Sequence, residues 1–175
     1  MYIATGAMGA GKSTVLDLLK ANYVCVPEPA RAILAEQRSF RGQGVPKGNS
    51  ELFVNLMLSR CLYQYKRCEA CNAAVIFDRG IPDMVAYAEL FGLDTDPFWR
   101  CSKQNRYAKT VFLLTGWKEI YHTDSERRMT YEQAAEFGDS VKRIYSVLSY
   151  RLVEVPHWPI QERADFIAKE IDRDR

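Results

Sequence analysis

A glycine-rich loop near the N-terminus constrains the fold of this chain more than any other feature. The segment Gly6-Ala-Met-Gly-Ala-Gly-Lys-Ser13 matches the pattern G-x-x-x-x-G-K-[ST]. The β-prone run Tyr2–Thr5 leads into the segment, and the apolar spacing from Thr14 to Lys20 predicts a helix that leaves it. Strand, glycine loop and helix in this order are the context in which the pattern is informative.

The residue types of this loop suit the binding of an oligophosphate. Glycines at three positions permit positive φ angles and a close approach of the backbone, so that successive N–H groups can surround an anion at a helix N-terminus. We expect Lys12 to reach the β- and γ-phosphates of ATP and the Ser13 hydroxyl to bind Mg²⁺. A glycine turn ahead of an ordinary helix is the alternative. The predicted nucleotide-binding residues are Gly6, Ala7, Met8, Gly9, Ala10, Gly11, Lys12, Ser13 and Thr14.

Composition limits the classes of protein to which the chain can belong. Its 175 residues predict one domain, 1–175, and its net charge of +2 favours neither a nucleic acid nor an anionic membrane as partner. We expect no transmembrane segment and, because the first strand starts almost at Met1, no leader. Five cysteines without a secretory signal predict reduced thiols and a cytoplasmic location. We interpret Cys68 and Cys71 as ordinary helix thiols rather than half of a zinc site.

Five short, nearly continuous apolar runs predict strands that are covered on both faces. Between them, apolar residues recur at helical spacing, and in the longest helical pattern Leu52, Leu56 and Tyr63 lie along one stripe. Alternating strands and helices predict a parallel sheet with helices on both sides. The predicted strands are Tyr2–Thr5, Tyr23–Val26, Ala74–Phe77, Thr110–Leu114 and Leu152–Val155, and the later helical patterns are Glu51–Cys71, Pro82–Phe91, Tyr131–Ser149 and Ile160–Ile171.

Charged residues follow the third run, at the end of a parallel strand where ligands gather. Asp78 ends an apolar strand after a phosphate loop, and we interpret it as a Mg²⁺-binding acid. The alternative is a cap of the next helix. Arg79 follows directly, and its guanidinium could bind a phosphate or a substrate oxygen, or pair with a surface carboxylate.

The second run ends in Glu28, which we expect to face the same crevice. A carboxylate there could accept the proton of an attacking hydroxyl, and Arg31, one turn into the next helix, could orient an acceptor. The alternative is that Glu28 stabilises the helix N-terminus.

The segment 117–130 is polar and lies where a lid would cover the phosphates. Its Arg127 and Arg128 could neutralise charge during phosphoryl transfer, or could belong to a solvated helix start. After the fifth run, Trp158 could stack on adenine or close the edge of the core, and we favour the second interpretation.

In chain order these blocks resemble a predicted-ATPase family of AAA-type annotation. The blocks are the phosphate loop, Glu-Pro-Ala-Arg, Phe-Asp-Arg-Gly-Ile-Pro-Asp, Asp-Ser-Glu-Arg-Arg and Glu162-Arg163, and they cover nearly the whole chain. The layout is also similar to the nicotinamide-riboside kinase module and, more distantly, to deoxynucleoside and thymidylate kinases. The resemblance implies an α/β class, with a three-layer α/β/α P-loop fold, a five-stranded parallel sheet in the order 2-3-1-4-5 and a short lid. It also implies roles for five residues: Glu28 as the base, Asp78-Arg79 as an acid–arginine pair, and Arg127 and Arg128 as lid arginines.

The predicted function is transfer of the γ-phosphoryl group of MgATP to a small nucleoside-, nucleotide- or riboside-like acceptor. The main alternative is a nucleotide-dependent switch that acts through a protein partner, although Asp78 is followed by Arg rather than by a Glu that would activate water. A polynucleotide-end kinase is disfavoured by the modest charge. No membrane or nucleic acid is expected as partner, and a homodimer is left open.

Overall fold

The computed structural model describes residues 1–121 and 129–174. Five strands form one parallel sheet in the order β2-β3-β1-β4-β5, which confirms the predicted order. Each predicted strand is present, and its ends differ from the prediction by one residue at most. The strands are β1 (Tyr2–Gly6), β2 (Val24–Val26), β3 (Val75–Asp78), β4 (Thr110–Leu114) and β5 (Arg151–Glu154).

Helices connect the strands, as the alternating pattern predicts. Asn49 caps the longest helix by accepting a hydrogen bond from the Leu52 N–H, and Thr130 and Gln133 form a capping box at another. A short 3₁₀ helix, Lys118–Ile120, follows β4. The α-helices are α1 (Lys12–Leu19), α2 (Ala30–Ser39), α3 (Ser50–Cys68), α4 (Asp83–Leu90), α5 (Asp96–Gln104), α6 (Tyr131–Val147) and α7 (Ile160–Arg173).

The sheet separates two apolar cores, because neighbouring side chains on a strand point to opposite faces. In β1, Ile3 belongs to the core shared with α2, α3, α4 and α6, whereas Tyr2 and Ala4 belong to the core shared with α1 and α7. This arrangement is the predicted three-layer α/β/α architecture. In the described part of the chain, no helix has the length and apolar character needed to span a bilayer.

The apolar residues of α3 divide into exposed and buried ones. Leu52 and Tyr63 are exposed, whereas the face that carries Phe53, Met57 and Cys61 is buried. The expectation that Trp158 closes the edge of the core was wrong, because Trp158 is 45% exposed and contacts Phe166 edge-on. A large apolar side chain at the surface costs little.

Candidate active site

The phosphate loop joins β1 to α1 through three glycines with positive φ angles. These angles are 126° at Gly6, 78° at Gly9 and 77° at Gly11. Gly6 is also sterically required, because a Cβ there would lie 2.1 Å from the Leu114 carbonyl oxygen of β4. The predicted left-handed backbone of the loop is therefore present, and α1 begins directly after it at Lys12.

Lys12, the first residue of α1, folds back over the glycine loop and is buried. Its Nζ donates a hydrogen bond to the Ala7 carbonyl oxygen at 2.7 Å. Burial, and then the charge of Arg79, lower the pKa of Lys12 to about 7. The ammonium group thus lies across the loop, at the position where a bound phosphate would supply the opposite charge.

Asp78 and Ser13, the two residues predicted to bind Mg²⁺, meet at the carboxyl end of the sheet, and the metal site itself stays a prediction. The Ser13 hydroxyl donates to Asp78 Oδ2 at 2.9 Å. Asp78 is buried, and its Oδ1 atom has no hydrogen-bond partner among the described residues. Burial, followed by repulsion from Glu28, raises the pKa of Asp78. A hydroxyl and a buried, incompletely satisfied carboxylate are oxygen ligands that fit Mg²⁺.

Glu28 lies beside this cluster and is contacted by two other side chains. Its Oε1 atom is 3.0 Å from Arg79 Nε and accepts a hydrogen bond from the Tyr87 hydroxyl at 2.7 Å. Its charge reaches both Lys12 and Asp78. Glu28 therefore belongs to the same electrostatic unit as the phosphate loop, although it arises from a different strand end.

A buried carboxylate, Asp83, determines where Arg79 lies. Asp83 accepts from the Arg79 guanidinium at 3.0 Å, the Gly80 N–H at 2.8 Å and the Tyr145 hydroxyl at 2.6 Å, and also from the Thr5 hydroxyl. Arg79 itself has a positive φ of 67°. Asp83 ends the Asp-Arg-Gly-Ile-Pro-Asp block of the resemblance, but no role was predicted for it, and its local sequence suggests only the first turn of a helix.

Arg79 is enclosed by protein groups rather than open to the crevice. Its side chain is 2% exposed, and the guanidinium also donates to the Gly6 carbonyl oxygen at 3.0 Å. Burial alone would lower the pKa of Arg79, but Tyr87, Glu28 and Asp83 raise it above its usual value. A direct contact of Arg79 with a phosphate stays a prediction, and the present contacts instead fix Glu28 against β1.

A second buried arginine, Arg163 of α7, lies on the other side of the loop. It is 3% exposed and donates to the Ala10 carbonyl oxygen at 2.7 Å. Its guanidinium lies 5.6 Å from the ring centre of Trp117, which stacks on His157 at 4.8 Å. In the sequence, Arg163 stands out only as part of the Glu162-Arg163 block of the resemblance, and no local pattern links it to the loop.

The remaining predicted residues lie nearer the surface or outside the described chain. Arg31 is exposed on the first turn of α2, and Ser13 and Thr14 are exposed at the start of α1. Arg127 and Arg128 lie outside the described residues, so their role stays a prediction. The described part of the chain thus brings together five of the predicted site residues at the carboxyl end of the sheet: Lys12, Ser13, Glu28, Asp78 and Arg79.

The glycine loop, the strand order and the acid at the end of β3 define a P-loop protein with a nucleoside/nucleotide-kinase-like fold. A family model described as an AAA domain matches residues 1–163, and the chain belongs to that family. No curated protein matches the chain in sequence.

Solved structures of kinases share this fold over nearly the whole chain. A deoxyadenosine kinase from M. mycoides, with dCMP and dCDP bound, superposes with a TM-score of 0.71 at 18% identity, covering 99% of this chain and 100% of the other. A NadR protein in complex with NR superposes with a TM-score of 0.70 at 17% identity, covering 96% of this chain and 50% of that chain. Thymidylate kinase from Candida albicans superposes with a TM-score of 0.68 at 16% identity, covering 99% of this chain and 91% of that chain. At such identities the likeness establishes the fold.

Proposed function

We propose that this protein is a small-molecule kinase that transfers the γ-phosphoryl group of ATP to a nucleoside-, nucleotide- or riboside-like acceptor. The observation that carries the proposal is Glu28, a carboxylate held by Arg79 and Tyr87 beside the phosphate loop. Asp78 is followed by an arginine that pairs with Glu28 and Asp83, rather than by a Glu that would activate water, and this disfavours hydrolysis. The related folds include proteins named as nucleoside and nucleotide kinases, which supports the same class of reaction.

The chain's own groups divide the work of transfer between the donor and acceptor sides. The N–H groups of the loop and the Lys12 ammonium would bind the β- and γ-phosphates and stabilise the charge that develops on them. Ser13 and Asp78 would hold Mg²⁺, which neutralises phosphate charge when bound. For a hydroxyl acceptor, Glu28 would take the proton as the acceptor oxygen bonds to the γ-phosphorus. The bond from that phosphorus to the bridging oxygen breaks, and ADP leaves.

Arg79 and Tyr87 would orient Glu28 for this step. Because both contact Oε1, they restrict rotation of the carboxylate toward a single arrangement. Preorganisation of this kind lowers the cost of reaching the transition state. Arg31, exposed on α2 three residues after Glu28, would bind an anionic part of the acceptor.

The proposal is tested by phosphorus NMR of the purified protein with MgATP and a pool of nucleosides, nucleoside monophosphates and nicotinamide riboside. A new phosphoester signal that requires the pool is expected, and dividing the pool then identifies the acceptor. A control without acceptor runs in parallel. Equal ADP formation with and without the pool would instead support a hydrolysing or switching module, and would contradict the kinase proposal.

The role of Glu28 is tested by Glu28→Gln, which keeps the shape of the side chain but cannot accept the proton. We expect transfer to fall roughly 10²–10⁴-fold, the usual contribution of a general base, while ATP affinity changes little. Glu36→Gln is the matched control, because Glu36 lies on α2 and pairs with Arg60 at the surface. Transfer by Glu28→Gln at the wild-type rate would show that Glu28 is not the base.

A further inference from the structure

Arg163 is a buried cation that the proposed transfer does not use. No described carboxylate pairs with it, and burial lowers its pKa. Its Nε atom has no hydrogen-bond partner among the described residues. Burying an arginine without a counter-ion is unfavourable, so the position needs an explanation other than packing.

The contacts of Arg163 lie on the phosphate loop itself. One guanidinium nitrogen, Nη2, donates to the Ala10 carbonyl oxygen at 2.7 Å. The other, Nη1, would lie 3.0 Å from a Cβ added at Gly11, so it is close to the last residue of the loop. The guanidinium therefore holds the Ala10–Gly11 peptide from the side of α7.

Peptide geometry links this contact to anion binding. The C=O and N–H groups of a trans peptide point to opposite sides of the chain. Because Arg163 holds the Ala10 carbonyl toward α7, the Gly11 N–H is directed away from α7. In this orientation, the Gly11 N–H can contribute to the anion nest that the loop forms.

Arg163 also joins the loop to the segment that follows β4. Its guanidinium lies over the indole of Trp117, whose ring is nearly parallel to His157, with 4° between the ring planes. The distance between Thr115 Oγ1 and His157 Nε2 is 3.0 Å. One side chain of α7 thus contacts both the phosphate loop and the start of segment 117–130.

We infer that Arg163 is a positioning residue for the polyphosphate: it orients the Ala10–Gly11 peptide and supplies a positive charge that the bound phosphates neutralise. This inference rests on the proposed use of a nucleotide. It differs from packing alone, because it predicts a loss of affinity for phosphates in a protein that remains folded. It also differs from recognition of the base, because it predicts the same loss with a ligand that has no base.

The test compares wild type, Arg163→Met and Arg163→Lys by calorimetric titration with MgATP and, separately, with magnesium tripolyphosphate. Melting curves identify a temperature at which every variant is folded. We expect Arg163→Met to lower the affinity for both ligands about 10- to 100-fold, the range for a charge-assisted hydrogen bond. Arg163→Lys should recover part of the loss, because an ammonium keeps the positive charge but lacks the planar geometry of the guanidinium. Arg173→Met is the matched control, since Arg173 lies exposed at the end of α7.

Each other outcome overturns the inference. Wild-type affinity of Arg163→Met for both ligands would show that the arginine has only a packing role. A lower affinity of Arg163→Met for MgATP, with an unchanged affinity for magnesium tripolyphosphate, would show that Arg163 acts on the nucleoside part instead. If Arg163→Met does not fold, Arg163→Lys decides the matter, and wild-type tripolyphosphate affinity in that variant excludes the positioning role. A wild-type protein that binds neither ligand removes the proposed function as well.

Discussion

Two arginines flank the phosphate loop, and the chain neutralises them to different extents. Arg79 has carboxylates on both sides, Glu28 and Asp83, each at 3.0 Å. Arg163 has carbonyl and aromatic neighbours but no described acid. The first arginine therefore serves to hold other protein groups in place, and the second retains charge for an anionic ligand.

Asp83 is expected to be the most sensitive structural residue of the site. Asp83→Ala would leave the Arg79 guanidinium buried with one fewer counter-ion, and would also free the Tyr145 hydroxyl and the Gly80 N–H. We expect the free energy of unfolding to fall by about 3–5 kcal/mol, as for other broken buried ion pairs. Urea denaturation monitored by circular dichroism measures the change.

The matched comparison for Asp83 is Glu89→Ala. Glu89 also pairs with an arginine, but Arg143 is 52% exposed and the pair lies at the surface. A loss of at most about 1 kcal/mol is expected there. Equal losses for the two variants would mean that burial does not control the strength of the Asp83 contacts.

Single residues were predictable where their partners are close in sequence or follow from a known motif. The loop glycines, Lys12, Ser13 and Asp78 are of this kind. Asp83 is not, because its partners Thr5 and Tyr145 lie 78 and 62 positions away. Nothing local in the sequence specifies such contacts, since they depend on how α4 and α6 pack on β1.

At the level of elements, α6 approaches the phosphate loop through a glycine. A Cβ added at Gly138 would lie 3.0 Å from the Cβ of Ala7 and 3.1 Å from its Cα. The larger side chain in Gly138→Val should press on the loop, destabilise the protein by about 1–3 kcal/mol and raise the Kd for MgATP. Denaturant titration and calorimetry provide the two measurements.

Glu136→Val serves as the control for this element. Glu136 lies exposed on the same helix, so the substitution places a β-branched valine in α6 away from the contact with Ala7. Unchanged MgATP affinity in Gly138→Val would contradict a close fit between α6 and the loop.

Elements were predicted well where apolar periodicity was strong. The sequence did not reveal α5, which is short and carries few apolar residues, although Asp96-Pro97 is a typical helix start. The helix α3 was predicted, but the sequence does not say which of its apolar sides is buried. Packing against α4 and α2 selects the side that carries Phe53, Val54 and Met57.

On the scale of the whole molecule, nucleotide binding should stabilise the fold. MgATP at about 100 times its Kd contributes about 2.7 kcal/mol. For a chain of this length each kcal/mol raises Tm by roughly 2–4 °C, so we expect a rise of roughly 5–10 °C. In Lys12→Ala, MgATP should raise Tm much less. Differential scanning fluorimetry with and without MgATP measures the rise in Tm for both proteins.

Adenosine without phosphates is the ligand control for the thermal experiment. Because the predicted contacts are with the phosphates, adenosine at the same concentration should raise Tm far less than MgATP. A rise for Lys12→Ala that equals the wild-type rise would show that the loop is not the binding site.

The architecture was the most predictable property of the chain. Five apolar runs alternating with helical patterns leave few arrangements, since parallel strands need crossovers and both faces must be covered. The strand order came from the resemblance rather than from the periodicity. What the sequence could not provide is the contact between distant ends of the chain, of which the pairing of Arg163 with Ala10 is the clearest case.

That pairing has a consequence for biosynthesis. Ala10 and Arg163 are 153 positions apart, so a growing chain on the ribosome makes the phosphate loop long before its α7 support. Until α7 emerges, the Ala10–Gly11 peptide lacks the group that contacts it. If Arg163 has the proposed role, a nascent chain would acquire its full affinity for phosphates only after α7 has emerged, which would limit premature capture of nucleotide.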